Sequence, residues 1–156
     1  MDILKLIHSI ACSVCQSTEK PKPQIEVLEI VSAKAAAEID LAKMKLLFPI
    51  LLDGYQSYYY TKAEDWAKVF DYIYFKGIPK YEASRMDCDD FAIWMKGLVG
   101  ANFGLNYFGI VLGNSPWGYH AWNIFRTETG FLQLEPQTGR FFDLGDGEYF
   151  PEWILL

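Results

Sequence analysis

The sequence predicts an α+β domain, and three observations carry that prediction. Helical periodicity dominates the first two thirds of the chain, alternating apolar runs fill the last third, and helices precede strands. The 156 residues fit one domain, and an apolar content of 51%, with 17% aromatic, is enough for a core. With 14 basic against 20 acidic residues the net charge is -6. No basic stripe of the kind a phosphate backbone requires is present, so nucleic acid is set aside as a partner.

Residues 1–24 read as a short amphipathic helix carrying Ile3, Ile7 and Ile10, then a polar linker holding Pro21 and Pro23. Residues 25–156 then form a single domain. Helical spacing over residues 25–48 predicts a long helix that Pro49 stops. In the next segment Thr61-x-x-Glu64 is a capping box, Trp66, Val69, Phe70 and Ile73 repeat at helical spacing, and Gly77 with Pro79 closes the run. A third helix opens at Asp87 with Phe91, Trp94, Met95 and Leu98 on one face, and ends between Gly97 and Gly100. Strands are expected at 107–112, 120–125, 131–135 and 140–144, separated by Gly, Asn, Pro and Thr turns.

Asp2 and His8 interrupt an N-terminal apolar stretch too short for a secretory signal, and no run reaches the length of a membrane span. Synthesis in the cytoplasm is the expectation. Cys12, Cys15 and Cys88 cannot pair evenly, which suits a reducing compartment. Cys12-x-x-Cys15 offers a redox pair or half a zinc site, but no second Cys/His pair lies close and no strand precedes it.

Cys88 falls in the first turn of the third helix, where unpaired N–H groups and the dipole favour a thiolate. If residues 126–129 form the turn between the second and third strands, Phe125 faces Gly130, Trp122 faces Gln133, and His120 faces Glu135. A glutamate beside an imidazole fixes its tautomer and supports the imidazolium that forms when a thiol loses its proton. Nucleophile, base and orienting acid are then all present. Asp87, Asp89 and Asp90 crowd the same thiol and should weaken it. Calcium held by Asp87 and Asp89 removes the conflict; capping, with Arg85 nearby, is the plain alternative.

Three blocks, Asp87-Cys88-Asp89-Asp90-Phe91-Ala92, His120-Ala121-Trp122-Asn123 and Leu134-Glu135-Pro136-Gln137-Thr138, resemble those of the transglutaminase-like superfamily of papain-like enzymes. Bacterial transglutaminase-like cysteine proteinases are similar in the first block, and their acids flanking the cysteine bind calcium. The family's usual third acid is aspartate, whereas this chain has Glu135. A Cys-His-Glu set resembles the calcium-dependent papain-like domain at the C-terminus of a mushroom agglutinin, although no lectin-like repeat is visible. The resemblance implies a papain-like or transglutaminase-like core with Cys88, His120 and Glu135 catalytic. It further implies a thiol hydrolase cleaving a peptide or isopeptide bond in a protein or peptide substrate. Acyl transfer uses the same groups, and a non-catalytic interaction module keeping the fold is the reading from another class. The Cys88 N–H and Gln56 are candidate oxyanion donors, and the loop 113–119, with Trp117 and Tyr119, is a candidate cleft wall.

Overall fold

The computed structural model describes residues 20–41, 48–50, 57–145 and 147–156. The expected N-terminal helix, Cys12, Cys15 and Gln56 lie outside the described residues. Within them the order is β1 (Leu28–Val31), α1 (Ser32–Leu41), β2 (Phe48–Ile50), β3 (Ser57–Tyr60), α2 (Ala63–Phe75) and α3 (Cys88–Phe103). Five further strands follow: β4 (Phe108–Ser115), β5 (Gly118–Arg126), β6 (Phe131–Glu135), β7 (Arg140–Asp143) and β8 (Phe150–Leu155).

Strands dominate, and the expectation of helices first is corrected. Three of the strands precede the two longer helices. The helix expected over 25–48 is not one element, because β1 pairs antiparallel with β3, Leu28 opposite Tyr60, before α1 begins. Val27-Leu28-Glu29-Ile30-Val31 is rich in β-branched residues, and its alternation buries Ile30 while leaving Val31 exposed. Pairing with the tyrosine strand wins over the weaker helical signal.

The main sheet runs β2-β8-β4-β5-β6-β7; β2 lies parallel to β8, and every other neighbouring pair is antiparallel. On one face, Trp66 and Phe70 of α2 and Met95 and Val99 of α3 pack with Phe108, Phe125 and Leu134. Trp66 anchors this layer: its ring lies 4.9 Å from that of Phe125 and its indole N–H donates to the Arg126 carbonyl at 2.8 Å. On the other face, Ile30, Ala35 and Tyr58 cover Val111, Trp122, Ile124 and Ile154.

Helix α2 forms where the spacing predicts, but Thr61 does not cap it. Its hydroxyl donates to the Glu26 carbonyl, and Lys62 stands at the N-cap. The carboxylate of Asp65 accepts the Glu26 N–H at 2.9 Å and pairs with Lys68, contacts that hold its pKa below the usual carboxylate value. Helix α3 opens at Asp87 as expected and then runs past Gly97 and Gly100 to a left-handed Gly104. Interior glycines cost a helix only about 1 kcal/mol each, too little to stop one so well buried.

Gly113 sits where β8 shifts register against β4, and a Cβ there would stand 2.2 Å from the Phe150 carbonyl oxygen. Gly113→Ala is expected to lower stability by about 3 kcal/mol in urea unfolding. Gly97→Ala meets nothing within 4 Å and should raise it by up to about 1 kcal/mol in the same measurement.

Candidate functional site

Alternation along β5 sorts its side chains. Trp122 and Ile124 belong to one core cluster, whereas Ala121 belongs to the cluster on which Cys88 packs, with Ala92 and Ile110. His120 therefore points to the Trp122 side, and Ala121 occupies the side that Cys88 meets.

Near the outer end of β5, His120 Nε2 lies 2.6 Å from Glu135 Oε2. The pair forms as the sequence predicts, though not in the predicted register. Arg126 faces Phe131 and Asn123 faces Leu134, so the hairpin turn is residues 127–130 rather than 126–129 with Phe125 facing Gly130. The Thr127 hydroxyl accepts from the Thr129 and Gly130 N–H groups, and the Thr127 N–H donates to Gly130 O at 2.7 Å. This knot moves the pairing by two residues. A shift of two preserves which face each side chain uses, so His120 and Glu135 meet diagonally, as do Trp122 Nε1 and Gln133 Oε1 at 2.7 Å.

Glu135 is only 2% exposed, and its Oε1 accepts the Gln137 N–H at 3.2 Å. The Tyr149 hydroxyl stands 3.5 Å from Oε2; burial, with the Glu135 charge, pushes that phenol up to about 12. Around the imidazole stand aromatic rings: Trp117 edge-on at 5.8 Å, Trp122 stacked at 6.1 Å and Tyr149 at 6.4 Å. Trp117 is 68% exposed and Tyr119 58%. The loop expected over 113–119 is smaller, because β4 continues to Ser115, leaving Pro116 and Trp117 at the tip before Gly118.

A second group lies at the start of α3. Asp87 and Asp90 form the capping box, with Asp90 Oδ2 accepting the Asp87 N–H at 3.3 Å. Ligand atoms of Asp87, Cys88 and Asp89 all lie within 4.8 Å of one another. The Asp89 carboxyl is raised above its ordinary value, first by its hydrogen bond to the Asp87 carboxyl and then by burial. Among the described residues no hydrogen bond joins Cys88 to His120 or Glu135.

Two positions escaped the sequence reading. Asn123 Nδ2 donates to the carbonyls of Ala92 at 3.0 Å and Gly109 at 3.1 Å, tying α3 to the sheet. Tyr149 lies in a segment with no strong local pattern. A buried asparagine between Trp122 and Ile124 was the available signal for the first; only tertiary packing places the second.

No family model matches the chain, and no curated protein matches it. Solved structures do. One described as the PSL1a–E64 complex has a TM-score of 0.64 and 23% identity, over 83% of this chain and 51% of that one. A second, Polyporus squamosus lectin bound to a human-type influenza-binding epitope, Neu5Acα2-6Galβ1-4GlcNAc, has a TM-score of 0.66 and 20% identity, over 83% of this chain and 50% of that one. The likeness shows a shared fold, and the chain spans about half the length of these structures.

These findings correct the expected papain-like or transglutaminase-like membership and core. The fold is shared with a structure described as a lectin, and neither description names a proteinase or a transglutaminase. The thiol hydrolase, its cysteine-protease chemistry and the peptide substrate are given up on the same ground. No described helix is long and apolar enough to cross a membrane.

A carboxyl whose folded pKa is raised holds its proton more tightly when folded. Its contribution to stability is full below the unfolded value near 3.8 and is lost as pH rises through the folded value. In chelator, Asp89→Asn is therefore expected to gain in melting temperature on wild type as pH rises from 3.8 towards neutrality, followed by circular dichroism.

Proposed function

We propose that this chain is a non-catalytic binding module whose ligand is a neutral glycan, held at the Trp117 end of β5. The observation that carries the reading is the exposed indole of Trp117 standing edge-on to His120, whose imidazole is anchored by the buried Glu135. An indole offers a flat apolar face for the C–H face of a pyranose, and an anchored imidazole offers a fixed polar partner for a ring hydroxyl. The likeness to a lectin bound to a sialylated trisaccharide supports the ligand class. A net charge of -6 and the Glu135 carboxylate behind His120 disfavour an anionic sugar, so the neutral Galβ1-4GlcNAc portion is the better fit.

In this reading Cys88 serves packing, with Ala92, Ile110 and Ala121, while His120 serves ligand contact and the buried Glu135 holds its ring. Asp87 and Asp89 supply the hard oxygen donors that suit calcium, and their mutual repulsion is what a divalent cation would relieve. Cys88 sulfur is too soft a donor to compete for that ion.

Titration calorimetry with Galβ1-4GlcNAc and with its α2-6-sialylated form tests the ligand class. Binding of the neutral sugar, at least as tight as the sialylated one and about tenfold weaker in Trp117→Ala, is the expected result. The reading falls if neither sugar binds. It falls equally if Cys88 is alkylated by iodoacetamide faster than a free thiol at neutral pH in a manner that His120→Ala abolishes, since that dependence belongs to an activated nucleophile.

Calcium is tested by melting. At free calcium a hundredfold above the dissociation constant, the expected stabilisation is about 2.7 kcal/mol, absent in the double variant Asp87→Asn, Asp89→Asn. An unchanged melting temperature in calcium and in chelator removes the ion.

A further inference from the structure

A cavity of about 310 Å³ opens between α3, β4 and β8, and neither His120 nor Glu135 is part of its lining. Its floor is a patch of the sheet: Ile110 and Leu112 alternate onto one face of β4, with Leu155 opposite Ile110 and Trp153 opposite Leu112 on β8. Its rim is α3, where Asp89 and Ile93 lie four residues apart and so share one side of the helix. Asp89 is the one ionisable side chain among the described residues that line it. Ile93 is 55% exposed, a large apolar side chain at the mouth of the cavity.

The geometry points to a binding site for a small organic cation with an aliphatic body, a primary amine whose chain fills the apolar floor and whose ammonium meets Asp89. The volume lies at the lower end of what ligand pockets span, enough for a short chain or a single ring. Walls this apolar leave sugar hydroxyls without partners, so the glycan of the preceding section does not fit here. An anionic ligand would meet Asp89 with Asp87 beside it, and a neutral one would leave that charge unused. The cation is the choice that uses both features, and the site is independent of the glycan reading.

Methyl-region NMR of the full chain, with chelator present, follows hexylamine and 1-hexanol as probes of equal length. Hexylamine is expected to shift the methyl signals of Ile93, Ile110 and Leu112 and to bind about tenfold more tightly than hexanol. Asp89→Asn should remove that difference while leaving hexanol binding unchanged. Ile93→Lys, at a position already open to solvent, should place its own ammonium on Asp89 and exclude both probes, with the melting temperature confirming the fold. The proposal is overturned if neither probe binds at millimolar concentration, if hexanol matches hexylamine on wild type, or if hexylamine still shifts the Ile110 and Leu112 signals of folded Ile93→Lys.

Discussion

Two-residue alternation along β5 is the constraint on which the rest of the molecule depends. The strand sits in the interior of the main sheet and must satisfy two different cores at once. Ala121, Asn123 and Phe125 face the helical layer, while Trp122 and Ile124 face the layer built from β1, β3 and α1. A slip of one residue would exchange the two sets, putting Trp122 against α3 and Asn123 among tyrosine rings, so the register is held by both sides. His120 inherits its direction from that arrangement. Its partnership with Glu135 follows from that periodicity.

Much of the C-terminal half was legible because its signals are local. The run 131–135 and the start of the next strand at Arg140 coincide with β6 and β7, and the helix beginning at Asp87 is announced by its cap. The His–Glu pair was legible for a weaker reason. The predicted register was wrong by two, and the facing survived only because two is the period of a strand. The knot formed by the Thr127 hydroxyl carries no distinctive pattern in Arg-Thr-Glu-Thr-Gly, so spacing alone did not locate the turn. In the first third, β1 competes with a helix in sequence and is decided by its pairing with Tyr58 and Tyr60, a partner about thirty residues away that local reading cannot weigh. β2 and β8 were missed for the same reason.

The start of α3 concentrates opposing demands in three residues. Asp87 and Asp90 close the helix end, which favours negative charge there. Asp89 adds to that charge at the cost of an elevated carboxyl. Its side chain also lies on the cavity side of the helix, open to a cationic ligand. The resemblance in these blocks led to a catalytic expectation that the descriptions of the structures sharing this fold do not repeat, a reminder that short motifs are weaker guides than the scaffold around them.

The place of β8 in the sheet bears on how the chain is made. It stands between β2 and β4, so β2, encoded about a hundred residues earlier, has no sheet partner until β8 is in hand. During synthesis the hairpins from β4 to β7 can pair as they emerge, but the edge that β8 and β2 complete must wait until residues 150–155 have left the ribosome. Until then β4 presents an open apolar border at Ile110 and Leu112, and that interval is when a nascent chain of this topology has most need of a chaperone.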